Sequence, residues 1–497
     1  MFEAAELEHL IDEVQYDDAV PALREELLET QLDLLDAKRF EVVIIVAGLD
    51  GSGKGETVSV MNEWLDPRHV QTHAPGSPEE IDRARPPMWR YWQALPPKGQ
   101  IGIYFDALYN EAITARVYEQ INNSQLDQAL ERINRFEKML VDEGALVLKI
   151  WFHLSKQQQK QRFEILESSK QTRWRVTKTD WRNHEHYDQF VEVAERALRQ
   201  TSSVNAPWAI IGSYDFRYRN LTFGNQLLAA LQHRLTATSR PCPPVSVLPE
   251  LVKQDETNVI NSLDLTKTLA GKAYKKALAK WQGRLNRLAR RKKFAKISVV
   301  IVFEGNDAAG KGGSIRRVVR ALDPRQFRVI PIAAPTDEER AHPYLWRFWR
   351  QLPGRGKLQI FDRSWYGRVL VERVEGLCSQ AEWMRAYAEI NDFEEQLVRN
   401  RTIVIKFWLA ISKDEQLQRF KAREDTPFKR FKITEDDWRN REKWDLYEAA
   451  ICDMIERTST ATAPWTLIEA NSKRYARVKI LRTVCERIEQ EFGRAKG

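Results

Sequence analysis

The chain of 497 residues has only four cysteines, Cys242, Cys378, Cys452 and Cys485, and no two of them form a C-x-x-C pair. This spacing argues against a disulfide scaffold or a zinc ribbon and predicts reduced thiols in a reducing compartment. No apolar run approaches the length that crosses a bilayer, so we expect no membrane partner. The first residues contain neither a basic nor an apolar segment typical of a signal peptide, which favours a cytoplasmic protein.

Acidic residues are missing from one long segment. Between Lys267 and Phe303 there is no Asp or Glu, whereas the segment before residue 38 is acidic. A solvated helix face would explain a basic run, but a run of one sign that leads into a glycine-rich loop also attracts polyanions. We therefore expect this segment to concentrate a polyanion near the loop; its cations are Lys272, Lys275, Lys276, Lys280, Arg284, Arg287, Arg290, Arg291, Lys292, Lys293 and Lys296.

Glycines are also few, but several of them cluster in one stretch, G-N-D-A-A-G-K-G-G-S at residues 305–314. The β-branched run at 297–303 predicts a buried parallel strand before this stretch, and residues 315–320 predict a helix after it. Strand, glycine-rich loop and helix in this order are typical of a phosphate-binding loop. We expect phosphate to contact Gly305, Gly310, Lys311, Gly312, Gly313, Arg316 and Arg320.

The loop lacks the Ser or Thr that usually follows its lysine and binds Mg²⁺, because Gly312 stands there. The metal therefore needs other ligands, and Asp307 inside the loop is one candidate. Asp362 is a second, since it ends the predicted strand at 357–361, although a helix N-cap would also explain an acid there. Arg363 and Lys311 would then cover the phosphate oxygens, as catalysis of phosphoryl transfer requires.

Most of this pattern occurs twice. A second loop, G-L-D-G-S-G-K-G, begins at Gly48, which is 257 positions before Gly305, and this offset also relates Trp181-Arg182-Asn183 to Trp438-Arg439-Asn440. The sequence therefore predicts a tandem duplication, with an N-terminal domain at 1–237, a proline-rich linker at 238–256 and a C-terminal domain at 257–497.

Strand and helix patterns alternate along the first copy. We predict strands at 42–47, 101–106, 145–152 and 208–211 and helices at 5–38 (interrupted near Pro21), 56–65, 125–142 and 220–236. Residues 155–200 read as an interrupted helical region, which suits a lid. This order predicts an α/β fold of two P-loop kinase-like domains, each with a parallel sheet flanked by helices and a helical lid.

The second copy has many more cations around its loop than the first. Its lid region and the helix after its last predicted strand supply candidates to contact phosphate or nucleotide: Arg419, Arg423, Lys429, Arg430, Lys432, Lys473 and Arg477. The first copy keeps Asp50, Lys54 and Asp106, but Ala107 replaces Arg363 and Phe216 replaces Lys473. We interpret this first site as vestigial and the second as catalytic.

These motifs resemble the polyphosphate kinase 2 family over nearly the whole chain. The similarity rests on G-x-D-x-x-G-K-G-G at 305–313, on F-D-R-S-W-Y-G-R-V-L-V-E-R-V-E-G at 361–376, on the basic lid and on A-P-W at 463–465. The tandem form resembles the two-domain class of that family, the polyphosphate:AMP phosphotransferases. The resemblance implies a thymidylate-kinase-like P-loop fold with a helical lid and Mg²⁺-dependent phosphoryl transfer from inorganic polyphosphate to AMP, giving ADP. We expect no nucleic-acid partner.

The residues leave several alternatives open. The acceptor could instead be ADP or a guanine nucleotide, the donor could be ATP as in an ordinary nucleotide kinase, or the chain could sense a nucleotide without turnover. An intact loop, two acids and the lid cations argue against a sensor for the second copy. The sequence leaves the oligomeric state open, including a homo-oligomer.

Overall fold

The computed structural model describes residues 1–237, 258–426 and 433–494. The chain splits into two compact units, Met1–Pro78 with Arg90–Arg240 and Pro335–Arg347, and Glu79–Trp89 with Pro241–Ala334 and Phe348–Gly497. The proposed linker at 238–256 lies outside the described residues, as do the predicted lid cations Lys429, Arg430 and Lys432.

The first unit is built on a five-stranded parallel sheet in the order β2-β3-β1-β4-β5. Its strands are β1 (Val42–Gly48), β2 (Val70–His73), β3 (Ile101–Phe105), β4 (Leu146–His153) and β5 (Trp208–Gly212). The first ten helices in chain order are α1 (Glu13–Ala37), α2 (Lys54–Trp64), α3 (Glu80–Arg83), α4 (Trp89–Gln93), α5 (Asn110–Val117), α6 (Asn123–Asp142), α7 (Lys156–Ser168), α8 (Lys178–Glu185), α9 (Tyr187–Thr201) and α10 (Phe216–Thr236). Helix α3 belongs to the second unit, and the helix at Asp337–Arg340 belongs to the first.

The second unit has a sheet of the same kind, in the order β10-β9-β6-β8-β7 and again all parallel. Its strands are β6 (Ser298–Gly305), β7 (Phe327–Pro331), β8 (Leu358–Asp362), β9 (Thr402–Ala410) and β10 (Trp465–Glu469). The remaining helices are α11 (Gly271–Ala289), α12 (Lys311–Val319), α13 (Asp337–Arg340), α14 (Trp346–Trp349), α15 (Val371–Val374), α16 (Gln380–Arg399), α17 (Lys413–Glu424), α18 (Glu435–Glu442), α19 (Trp444–Thr458) and α20 (Lys473–Arg494).

Helices cover both faces of each sheet, which is why the strands read as continuous apolar runs. In the second unit α16 packs on one face of β9 and α20 on the other. The central strand β6 is buried from Ser298 to Glu304. Its partners β8 and β9 bring their carboxyl ends beside the glycine-rich loop, so the predicted doubly wound parallel fold is confirmed.

The structure corrects the sequence prediction for the first helix and for two edge strands. Helix α1 begins at Glu13, after the N-cap Asp12, and continues through Pro21 without interruption. Burial of Leu23, Leu27 and Leu34 holds the helix together around the missing hydrogen bond. The strands β2 and β7 were missed because they are short, partly exposed edge strands without an apolar run.

Each unit buries one lysine–glutamate pair beneath its sheet. Lys406 donates to Glu394 at 2.7 Å and to the Tyr366 hydroxyl at 2.8 Å, and the side chains of the pair are at most 1 % exposed. Burial lowers the pKa of Lys406 and raises that of Glu394, and their mutual attraction opposes both shifts. The first unit repeats the arrangement with Lys149 and Glu137 at 2.8 Å.

The described residues include no helix that combines the length and apolar character of a membrane span.

We expect an acid at the start of β1 to make stability depend on pH. Glu41 is fully buried where the second copy has Ser298, and burial raises its pKa from 4.5 to about 7. The folded chain therefore keeps a proton that the unfolded chain releases above pH 4.5, so stability should fall as the pH rises to about 7. Glu41→Gln should remove this fall, which is about 3 kcal/mol at most.

The measurement is urea unfolding at pH 5 and pH 8, followed by hydrogen exchange of the β1 amides because two units need not unfold in one step. The exposed Glu29→Gln is the matched control and should keep the wild-type pH dependence. An equal pH dependence in Glu41→Gln and wild type would contradict the assignment.

Candidate phosphate-binding site

The predicted loop joins the carboxyl end of β6 to the amino end of α12, which begins at Lys311. Glycine is required at two of its positions. Gly305 has φ +149°, and a Cβ there would lie 2.5 Å from the Leu409 carbonyl oxygen of β9. Gly310 has φ +105° and directly precedes the helix. The backbone can therefore curl between a buried strand and the amino end of a helix, where unpaired N–H groups attract anions.

Lys311 adds a full positive charge to this helix end. Its Nζ donates to the Gly305 carbonyl oxygen at 2.6 Å, so the ammonium lies over the loop that it follows. An ammonium held by backbone carbonyls rather than by a carboxylate keeps its charge available to a ligand.

Asp307 lies inside the loop and is held from two sides. Arg363 donates to its Oδ1 at 3.2 Å, and Asn440 of α18 donates to its Oδ2 at 2.9 Å. The Asp307 side chain is 13 % exposed. Asn440 was missed as a site residue, although the repeated W-R-N motif singled it out as part of the duplication.

Asp362 and Arg363 follow one another at the end of β8, and the sheet register pairs Asp362 with Phe303. This register brings Asp362 beside the strand that leads into the loop. Arg363 adopts φ +65°, a left-handed conformation that costs a non-glycine residue about 1 kcal/mol. Its N–H donates to the Phe303 carbonyl at 3.0 Å, which fixes the turn and directs the guanidinium to Asp307.

Glu304 is a second acid that sequence reasoning missed. It is 6 % exposed at the end of β6, and the Ser364 hydroxyl donates to its carboxylate at 2.9 Å. Burial raises the pKa of Glu304, while the charges of Lys311 and Arg363 oppose that rise. An acid in an otherwise apolar strand, where the first copy has Ala47, was the signal available in the sequence.

Four of the predicted cations meet beside the loop. Burial lowers the pKa of Lys473, and the nearby charges of Arg419, Arg477 and Arg423 lower it further. The Arg477 Nη2 lies 3.1 Å from where a Cβ of Gly313 would be, at the amino end of α12. A cluster of cations that lowers the pKa of its lysine indicates a site that binds an anion.

Three predicted cations do not have the positions that the sequence suggested. Arg419 is buried, and its guanidinium donates to the carbonyls of Ala308 and Ala470 at 2.9 and 2.7 Å, so it braces the loop from below rather than covering a ligand from a lid. Arg320 caps the far end of α12, about 13 Å along the axis from Lys311, and Arg316 is exposed midway.

The donor set limits which metal the site could hold. The described residues contain no group of three or more His, Cys, Asp or Glu side chains placed to bind a metal ion. Asp307 and Asp362 could supply carboxylate oxygens near the loop, and the rest of the coordination shell would come from water and phosphate. Mg²⁺ is usually bound in this way, with one or two carboxylates.

The loop of the first unit is neutralised by its own side chains. Lys54 forms a 2.8 Å ion pair with Asp106, and although burial alone would lower the pKa of Lys54, the charge of Asp106 raises it. Glu56, at the position of Gly313, contacts three arginines at 2.6 to 3.2 Å; these are Arg162, Arg175 and Arg219. A carboxylate thus sits at the amino end of α2 where a phosphate would bind.

Removing this carboxylate should open a phosphate site in the first unit. We expect Glu56→Gly, which restores the glycine of the second copy, to add one tripolyphosphate-binding site per chain, because three arginines lose their internal anion. Isothermal titration calorimetry of the full chain gives the number of sites directly. Glu56→Asp keeps the charge and should leave that number unchanged, and the proposal of internal occupation fails if Glu56→Gly behaves in the same way.

Some known relatives match this chain along its whole length, and others match one part of it. A polyphosphate:AMP phosphotransferase of Pseudomonas aeruginosa is 54 % identical over 496 residues, which cover 100 % of both chains. An NDP-polyphosphate phosphotransferase 2 of Ruegeria pomeroyi is 43 % identical over 183 residues, or 37 % of this chain and 53 % of the relative. A crystal structure assigned to polyphosphate kinase 2 of P. aeruginosa PA01 superposes with a TM-score of 0.90 at 53 % identity and covers 99 % of both chains.

The family model of polyphosphate kinase 2 matches twice, at residues 10–239 and 268–496. The two matches correspond to the two copies of the duplication and together span most of the chain. With the parallel sheets, the paired loops and the full-length relatives, they establish that this chain belongs to the polyphosphate kinase 2 family.

Proposed function

We propose that the second unit transfers the terminal phosphoryl group of inorganic polyphosphate to AMP and releases ADP. The observation that carries this proposal is the gathering of Lys311, Arg363, Lys473 and Arg477 around the amino end of α12, with no carboxylate paired to Lys311 in the described residues. The names of the full-length relatives support AMP as the acceptor.

In this reaction a phosphate oxygen of AMP attacks the terminal phosphorus of polyphosphate. A new P–O bond forms to AMP, the bond to the bridging oxygen breaks, and that oxygen leaves with the shortened chain and carries the negative charge. The second pKa of a phosphate ester is about 6, so the AMP oxygen is already deprotonated at neutral pH and needs no general base. The protein then has two tasks, to align the two phosphates and to neutralise their charge.

The residues present suit these tasks. Lys311 and the helix end contact the transferred phosphoryl group, and Arg363 balances charge that develops on its oxygens. We propose that Mg²⁺ binds to Asp307 and Asp362 together with phosphate oxygens, where it supplies further charge neutralisation. Asn440 and Arg363 hold the Asp307 carboxylate in one orientation for this purpose.

We propose a structural rather than a catalytic role for the first unit. Its lysine is paired with Asp106 and its helix end is filled by Glu56, so neither is open to a substrate phosphate. We also propose that the protein acts in the cytoplasm. Cys378, Cys452 and Cys485 are free thiols, as expected in a reducing compartment.

A second candidate acceptor is a nucleoside diphosphate. The partial match to an NDP-polyphosphate phosphotransferase favours it, and the same loop geometry would serve either acceptor. An ordinary ATP-dependent nucleotide kinase is less well supported, because it would not use the basic segment before β6.

The deciding experiment supplies AMP, polyphosphate and Mg²⁺ and separates the nucleotides after reaction. ADP as the product supports the proposal. ATP formed from supplied ADP, with AMP left unchanged, would replace it by the diphosphate acceptor, and turnover with ATP but not with polyphosphate would overturn the donor.

The two loops provide a matched pair of variants. Lys311→Ala should lower kcat/KM by about a hundredfold or more, since it removes a charge that stabilises the transferring phosphoryl group. Lys54→Ala in the first loop should change it less than about twofold. Both are measured in the AMP assay, with circular dichroism as the check on folding. A large loss with Lys54→Ala would assign a catalytic part to the first unit.

Asn440 allows a test of how Asp307 is positioned. Asn440→Ala removes one of the two donors to that carboxylate, and we expect kcat to fall about tenfold while the Mg²⁺ concentration for half-maximal rate rises. Asn183→Ala removes the equivalent bond to Asp50, 2.7 Å long, in the first unit and should change neither value. If Asn440→Ala lowers the rate without any change in Mg²⁺ dependence, the residue does not act through the metal ligand.

A further inference from the structure

A stripe of cations runs along one side of α11. Its members follow one another at intervals of three or four residues, which places them on the same side of the helix. Five members lie in α11 (Gly271–Ala289) and extend over about 23 Å along its axis, and the last, Arg291, follows two residues after the end of the helix. We call the following set the basic stripe: Lys272, Lys276, Lys280, Arg284, Arg287 and Arg291.

Most of this charge is not neutralised. In the described part of the chain only Arg284 among the six forms a salt bridge, with Glu489 of α20. The other five side chains are exposed. The second half of the stripe lines an open groove of about 320 Å³ between α11 and α20, which we call the basic groove; it is formed by Lys280, Arg284, Arg287, Leu288, Arg291 and Glu489.

The stripe runs from the carboxyl ends of the strands, where the loop lies, toward their amino ends. Just before α11, Lys267 pairs at 2.9 Å with Glu469, the last residue of β10, at the edge where the loop lies. Beyond the other end of α11, Lys293 donates at 2.9 Å to the carbonyl of Phe492, near the end of α20. The basic groove therefore lies toward the end of α11 that is farther from the loop, and Lys272 and Lys276 lie nearer to the loop along the helix.

The first unit provides an internal comparison. Its helix α1 also precedes the central strand and packs against the last helix of its unit, as α11 packs against α20. Yet α1 carries only one cation, Arg24, against eight acids: Glu13, Asp17, Asp18, Glu25, Glu26, Glu29, Asp33 and Asp36. The fold is therefore compatible with either negative or positive charge on the helix that precedes the central strand. Among the described residues, the positively charged helix precedes the loop whose lysine bonds to backbone carbonyls, and the acidic helix precedes the loop whose lysine pairs with Asp106.

We propose that the basic groove is a second binding site for inorganic polyphosphate, which holds the distal part of a long chain while its terminal phosphate occupies the loop. This inference rests on the proposed function, because it takes polyphosphate as the donor. Lysine and arginine side chains at helical spacing match a linear polyanion. Anchoring the chain at the groove raises the effective concentration of its end at the loop, so affinity should grow with chain length.

The kinetic test reverses two exposed charges of the groove, Lys280→Glu with Arg287→Glu. The KM for long-chain polyphosphate should rise about tenfold. The KM for the shortest chain that supports turnover should change less than twofold, because such a chain ends before the groove. The control is Lys170→Glu with Lys178→Glu, which makes the same change in net charge on exposed residues of the first unit and should alter neither value. An equal rise for both chain lengths, or the same rise in the control, would overturn the proposal.

A binding test separates the groove from the reaction. In full-length Lys311→Ala the loop is impaired, and labelled long-chain polyphosphate should still bind, with an affinity that falls steeply as salt increases. Adding the two groove substitutions should abolish this binding. If polyphosphate still binds after the two groove substitutions, the proposed second site is wrong, even if ADP is formed in the AMP assay. If the two substitutions abolish binding, the result supports the second polyphosphate site, even if AMP proves to be the wrong acceptor. A single-stranded RNA of equal charge that competes as well as polyphosphate would instead identify a nucleic-acid surface and overturn the proposal.

Discussion

Repulsion between like charges is the constraint on which the second unit depends. Arg419, Arg423 and Arg477 lie near enough to Lys473 for their charges to lower its pKa, and Arg477 lies beside the amino end of α12. Such a cluster persists only where opposite charge is close by. Glu415 pairs with Arg419 at 2.6 Å and supplies part of that charge. A ligand with many negative charges would add further opposite charge beside this cluster.

The first unit meets the same constraint without a ligand. Its loop has nearly the same backbone, since Gly48 and Gly305 both adopt φ near +150° against the strand beside them. Here Asp106 pairs with Lys54, and Glu56 pairs with three arginines. One fold therefore yields a site open to anions or a site already filled. The difference lies in a few side chains at the helix end, not in the sheet that positions them.

Much of the fold and part of the site could be predicted from the sequence. The central strands were predicted correctly because helices bury both faces and leave continuous apolar runs, whereas β2 and β7 lie at sheet edges and carry no such signal. Asp307 and Lys311 could be placed because the loop is a local motif. Asn440 could not, because its bond to Asp307 joins residues 133 positions apart. Only the folded lid region determines that contact.

The sequence by itself determined the duplication, the two loops, the family and the asymmetry of charge between the copies, because each of these is a property of residue order. Tertiary structure alone decided what each cation does. Arg419 was expected on a lid, yet it is buried against the carbonyls of Ala308 and Ala470. In the sequence Glu56 is an ordinary helix residue, whereas in the structure three arginines surround its carboxylate. An ion pair or a buried guanidinium depends on which distant residues the fold brings within about 3 Å, and spacing along the chain does not fix that.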